Sequence, residues 1–321
     1  MNDRRILFLC PDYDQPSGGI RALYRHVDFL HESGFAAAIV HQQPGFRCTW
    51  FVNLTPVEYL THLVGTARDL IVIPEIYGPQ LARLFPGVPK VVFNQNCYLT
   101  FQGYDLTIEN LETPYTHPDI KAVLTVSQDN LAYLRYAFPN LIVARIHYGI
   151  DASLFAGGEP KERLLGYMPR KNVGDVVQVL NILKQRRVLG DFRFAPIEGC
   201  NEQQTAAILR RSAIFLSFGY PEGCPLPPLE AMASGCAVIG YHGNGGREYF
   251  RPEFCWPIEV GDIVGFALAA ESVIQLYTQD RATILTRTQR AAAFVRSEYS
   301  LQREKSEVVQ FWQSVLTETV V

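Results

Sequence analysis

Strand-length apolar runs alternate with helix-spaced apolar residues twice over along these 321 residues, and that double alternation constrains the fold more than any other feature. Residues 5–10 (RILFLC) form an apolar run, Ile20, Leu23, Tyr24, Val27 and Leu30 share one helical face that Gly34 closes, and 36–41 (AAAIVH) is a second run. A strand, a helix and a strand in that order predict a crossover and a parallel sheet. Further runs at 70–73, 91–93 and 122–127, with helical stretches at 79–85 and 128–137, carry the pattern to about Ile150. After the small-residue segment FAGGEP (155–160), which reads as a linker, the alternation restarts. Strands are expected at 163–168, 192–197, 213–218 and 237–241, helices at 174–187 and 202–211, and a long closing helix over 301–318. The expected architecture is α/β: two facing Rossmann-like, doubly wound domains, 1–150 and 151–300, with a C-terminal segment 301–321 packing back on the first. A length that allows about 150 residues per domain agrees. Open parallel sheets bind ligands beyond the carboxyl ends of their strands, so two such domains predict an interdomain cleft lined by post-strand loops.

Charge and cysteine usage narrow the function. The net charge is −3 and the basic residues are dispersed, which removes the electrostatic footprint that nucleic acid requires. Seven cysteines, an odd number without a CxxC pair, suggest neither a disulfide framework nor a zinc site, and point to a reducing cytoplasm. The apolar run near the N-terminus is too short for a signal peptide or a membrane span, and no basic amphipathic patch there supports peripheral membrane association.

The densest chemistry lies in Pro221-Glu222-Gly223-Cys224-Pro225-Leu226-Pro227-Pro228-Leu229-Glu230-Ala231-Met232-Ala233-Ser234-Gly235. A strand ends at Phe218, a loop carries Glu222, and Pro227 and Pro228 preset a helix whose first turn should hold Glu230. Carboxylates near a helix N-terminus suit a nucleotide sugar: backbone N–H groups face the diphosphate while the carboxylates accept hydrogen bonds from sugar hydroxyls. A helix-capping glutamate beside a solvated loop glutamate would produce the same letters. Pro169-Arg170-Lys171-Asn172 follows the first strand of the second half, where two cations could neutralise a diphosphate as its bond to the sugar breaks. Ser17-Gly18-Gly19-Ile20 opens the first helix and would let backbone approach an anion, although a plain strand-to-helix turn reads the same way.

The stretch 221–240, extended to Gly245-Gly246-Arg247-Glu248, resembles the signature of the group 1 (family 4) retaining glycosyltransferases of the GT-B fold. There two glutamates are separated by seven residues and the second opens LEAMA-x-G-x-x-V-I; Glu222 and Glu230 occupy those positions. The resemblance implies that Glu222 contacts the donor sugar and Glu230 the ribose, with Gly223, Cys224, Pro225 and Leu226 between them on the donor. It implies that Arg170 and Lys171 act with Glu222 in catalysis and that Gly18 and Gly19 face the donor phosphates. This sequence departs from the family at Pro225, where a glycine is usual and the proline removes a backbone donor. On the acceptor side the resemblance points to Asn94 and Asn96, amides where relatives carry a histidine, and to Ser127, which a helix N-cap explains as well.

The implied activity is transfer of a sugar from a nucleotide diphosphate to an unidentified acceptor with retention of configuration, the nucleotide sugar being a co-substrate and no cofactor or metal being required. Asp12-Tyr13-Asp14 spells an acid-x-acid pattern but precedes a glycine turn, and no histidine pair has ligand spacing. His147 is expected to pack in a hinge strand. A catalytically degenerate module that binds a nucleotide or glycan, and an epimerase on the same fold, are the competing readings.

Overall fold

A computed structural model describes residues 4–318 apart from 64–65, 67 and 105–112; the last residues of the expected closing segment, 319–321, lie outside the described residues. The chain divides into two compact units, Met1–Tyr148 with Gln302–Val321, and Gly149–Leu301.

In the first unit the strands are β1 (Arg5–Leu9), β2 (Ala36–His41), β3 (Val57–Tyr59), β4 (Leu70–Pro74), β5 (Lys90–Asn94), β6 (Ile120–Thr125) and β7 (Val143–Arg145). They pair in the order β3-β2-β1-β4-β5-β6-β7, every pair parallel. Helices α1 (Gly18–Glu32) and α2 (Gln128–Ala137) cover the sheet. β4 and β5 are buried along their whole length, as expected of a parallel sheet covered on both faces. The helix expected over 79–85 is instead a 3-10 segment, Glu75–Arg83, broken at Gly78. Gly78 has a φ of 51° and Pro79 lacks the N–H that α-helical bonding would use. The short strands β3 and β7 are additions that their few apolar residues did not announce.

The second unit holds β8 (Glu162–Tyr167), α3 (Val173–Gln185), β9 (Arg193–Pro196), α4 (Glu202–Arg211), β10 (Ser212–Phe218), α5 (Leu226–Ala233), β11 (Ala237–Tyr241) and β12 (Trp256–Ile258), then α6 (Ile263–Gln279) and α7 (Arg281–Glu298). Its strands pair in parallel in the order β12-β11-β10-β8-β9. β10, whose seven residues are all buried, is central, and Leu165, Ile214, Leu216, Ile239 and Phe266 belong to the core around it. Local chemistry sets the helix starts: Asn201 and Gln204 form a capping box on α4, and the Asp262 and Asp280 carboxylates cap α6 and α7.

The last helix, α8 (Leu301–Glu318), groups from Gln302 onward with the first unit. Glu304 pairs with Arg25 at 2.9 Å, and the Trp312 indole N–H donates to His26 Nε2 at 2.7 Å. His147 does more than pack: its backbone N–H donates to Glu307 on α8 at 2.7 Å and its Nδ1 lies 3.0 Å from the same carboxylate.

Candidate functional site

In each sheet the winding reverses between two neighbouring strands, β1 and β4 in the first unit and β8 and β10 in the second. At such a reversal the two post-strand loops run to opposite sides and leave a crevice at the strand ends. Lys171 leaves β8 and Glu222 leaves β10, so the second reversal brings them together. The Lys171 Nζ donates to Glu222 Oε1 at 2.7 Å and to Oε2 at 2.5 Å. Both side chains keep part of their surface in solvent, 30% and 23%. They border a shallow recess that also takes in Ser217, Gly219, Pro225 and Pro227. Arg170 is exposed, has no ion-pair partner among the described residues and does not line this recess.

Backbone pairing fixes Glu222. Its N–H donates to the Gly243 carbonyl at 2.9 Å, and its own carbonyl accepts from Gly245 N–H at 3.2 Å. The loop after β11 therefore braces the loop after β10 as a short parallel bridge. Gly245 is required there for space, since a Cβ would lie 1.8 Å from the Gly223 carbonyl oxygen. The buried Tyr249 hydroxyl donates to the Pro225 carbonyl at 2.5 Å, fixing the entry to α5 from the other side.

The start of α5 corrects one expectation and sharpens another. The helix begins at Leu226, so Glu230 is its fifth residue and no acidic residue occupies the first turn. Its backbone carbonyl accepts from Ser234 N–H and its side chain is half-buried, outside the residues lining the Lys171–Glu222 recess. The four positions whose N–H groups a helix start leaves unbonded are here Pro225, Leu226, Pro227 and Pro228. Three of them are prolines, which leaves Leu226 as the single backbone donor at this helix end. Gly223 and Cys224 are buried in the loop, and Leu226 is partly exposed.

In the first unit Gly18 and Gly19 are the opening residues of α1, and Ser17 caps it without a side-chain hydrogen bond. Gln95 packs on them: its Nε2 donates to the Gly19 carbonyl at 3.3 Å, and a Cβ on Gly19 would stand 3.4 Å from its Oε1. Asn94 and Ser127, expected to line the acceptor side, are both fully buried. Asn94 Nδ2 donates to Thr100 Oγ1 and Tyr115 Oη, and Ser127 Oγ accepts from Asn130 N–H as the N-cap of α2. Asn96 stays partly exposed and caps the turn Cys97–Leu99. Asp12 and Asp14 are engaged by the end of β2 and the loop after it, Asp12 by His41, Gln42 N–H and Gln43 N–H, and Asp14 by Thr49.

Glu75 escaped the sequence reading. It follows β4 at the first unit's reversal point, is buried, and accepts from Gln95 N–H at 3.0 Å. Loss of hydration pushes its carboxyl up to about 7, against the hydrogen bonds that favour ionisation. Its place directly after the strand LIVIP was the available signal.

Two α/β units, each built on an all-parallel sheet, the second carrying a Lys–Glu pair beside a proline-started helix, are the GT-B type of architecture. The family described as glycosyl transferases group 1 matches residues 193–289, which include Glu222 and Glu230. An alpha-1,6-glucosyltransferase of Actinobacillus pleuropneumoniae serotype 7 is 38% identical over 276 residues, 81% of this chain and 79% of the relative. The chain belongs to the group 1 glycosyltransferases. Among solved structures, sucrose-phosphate synthase from Thermosynechococcus elongatus aligns over 98% of this chain and 100% of its own at a TM-score of 0.71 and 15% identity. Anabaena HepE in complex with UDP-glucose aligns over 97% of this chain and 99% of its own at a TM-score of 0.70 and 15% identity.

Proposed function

We propose that this glycosyltransferase moves glucose from UDP-glucose to a hydroxyl acceptor with retention of configuration and without a metal ion. The observation that carries the reading is the Lys171–Glu222 pair, which holds a cation suited to a diphosphate within 2.7 Å of a carboxylate suited to sugar hydroxyls. Arg170 and Lys171 would neutralise charge building on the β-phosphate as the anomeric bond breaks, a task that falls on them because α5 offers one backbone donor. Glu222 would orient the sugar, and the departing diphosphate would take the acceptor's proton on the same face. Support for glucose and for retention comes from the relatives. One is an alpha-1,6-glucosyltransferase and another was solved with UDP-glucose, whose own anomeric bond is α, so an α product keeps the configuration. No described helix is long and apolar enough to cross a membrane, and seven free cysteines suit a reducing cytoplasm.

The test is UDP release from UDP-glucose with glucose-terminated oligosaccharides as acceptors, in excess chelator, with the new anomeric proton read by NMR. An α linkage formed at an undiminished rate is expected. A β linkage, or activity that chelation abolishes and magnesium restores, overturns the corresponding part of the reading. Binding of UDP-glucose with no turnover on any acceptor would instead favour a degenerate binding module.

A further inference from the structure

The Asp175 carboxylate joins two parts of the second unit that are far apart in sequence. It sits in the first turn of α3, and its Oδ2 accepts from Asn172 Nδ2 at 2.9 Å and from the Tyr241 hydroxyl at 2.8 Å. Asn172 directly follows Lys171 and adopts the left-handed conformation, φ 51° and ψ 51°. That conformation is costly for a side-chain-bearing residue and is best tolerated by asparagine, whose short amide can bond locally. The bond to Asp175 holds it there, and the reversal it makes sets the direction in which Lys171 leaves the backbone.

Tyr241 is the last residue of β11 and is fully buried, its ring against Phe218 and Phe266. The chain then runs into His242–Gly246, the loop that braces Glu222. In the sheet β11 is separated from β8 by β10, so the Tyr241–Asp175–Asn172 chain of hydrogen bonds spans the strand whose following loop carries Glu222. Burial, and next to it the Asp175 carboxylate, raise the phenol's pKa and keep it a hydrogen-bond donor.

We infer that Asp175 is a positioning residue which, through Asn172 and Tyr241, fixes the Lys171 ammonium relative to the Glu222 carboxylate and so to the donor diphosphate. This rests on the reading of Lys171 as a diphosphate ligand. An acidic residue that merely supported the α3 helix end would alter stability and leave Lys171 independent of Tyr241.

The experiment is a double-mutant cycle between Tyr241→Phe and Lys171→Met, read as the calorimetric Kd for UDP with thermal unfolding of each variant alongside. Tyr241→Phe removes one hydroxyl and should weaken UDP about fivefold while Lys171 is present and leave Kd unchanged in the Lys171→Met background. Asp175→Asn, which keeps an acceptor oxygen, should fall between wild type and Asp175→Ala, and it repeats the cycle should Tyr241→Phe fail to fold. Equal weakening in both backgrounds, or a lower Tm with an unchanged Kd, overturns the positioning role. If Lys171→Met by itself binds UDP like wild type, the fault lies in the assignment of Lys171 and is seen as such.

Discussion

Lys171 Nζ bridges both oxygens of Glu222, so the cation assigned to the diphosphate and the carboxylate assigned to the sugar are each other's partners. A nucleoside diphosphate that recruits Lys171 competes with Glu222 for it. The pair is partly exposed, which limits its worth to about 1 kcal/mol.

Glu222→Gln should therefore tighten UDP by up to about fivefold while depressing transfer, because it frees Lys171 but removes the sugar contact. Glu230→Gln should act in the opposite sense and weaken both UDP and UDP-glucose by about 1 to 3 kcal/mol. Calorimetry of both ligands on both variants checks this. Equal weakening of UDP by the two substitutions would show that the glutamates do not divide sugar and ribose between them.

Replacing Arg170 and Lys171 together with alanine should lower kcat by about two orders of magnitude and weaken UDP by less, since charge on the diphosphate grows only as the bond breaks. Initial rates of UDP release set against calorimetric affinity decide it. A double variant with wild-type turnover would leave the loop after β8 as a solvated turn.

Glu75 makes stability depend on pH. Its folded value of about 7 lies above its ordinary 4.5, so the native state keeps a proton that the unfolded chain has released. The contribution is complete below about pH 4.5 and is lost as pH rises through 7, on the order of 3 kcal/mol in all. His26 works in the other direction: burial lowers it from 6.5 to about 3, so its contribution is complete above pH 6.5 and is lost as pH falls toward 3. Glu75→Gln keeps an oxygen for the Gln95 N–H and should raise stability at pH 8 relative to pH 5, as measured by urea unfolding. A variant with the wild-type pH profile would show that Glu75 does not titrate in this range.

Gly245→Ala should unseat the brace on Glu222. The added Cβ meets the backbone of Gly223, which has no rotamer to turn away with. A loss of 2 kcal/mol or more, on the order seen for strained special positions, should accompany loss of donor turnover. Thermal unfolding and UDP release read the two effects, and a fully active, fully stable variant would contradict the tight contact.

Much of this molecule is written in local sequence. The order of strands and helices follows from apolar spacing, as α2 and α4 show by matching their expected limits of 128–137 and 202–211. The stretch Glu222 to Glu230 declares the family because its loop, proline start and helix are contiguous. Local reading failed where structure depends on what packs nearby. Gly78 breaks what looked like a helix, and the α5 start moved Glu230 out of the first turn.

Tertiary structure alone decided which of these loops meet. Lys171 and Glu222 lie 51 residues apart, and nothing in either segment states that β10 rather than β9 will separate β8 from β11. Spacing fixes which face of an element is apolar, because each residue's direction depends on its neighbours in the chain. Strand order is fixed by how whole elements bury those faces against one another, a long-range balance of packing that no single segment contains. That balance placed the lysine beside the glutamate, joined Asn172 to Tyr241 through Asp175, and shut Glu75 away from water.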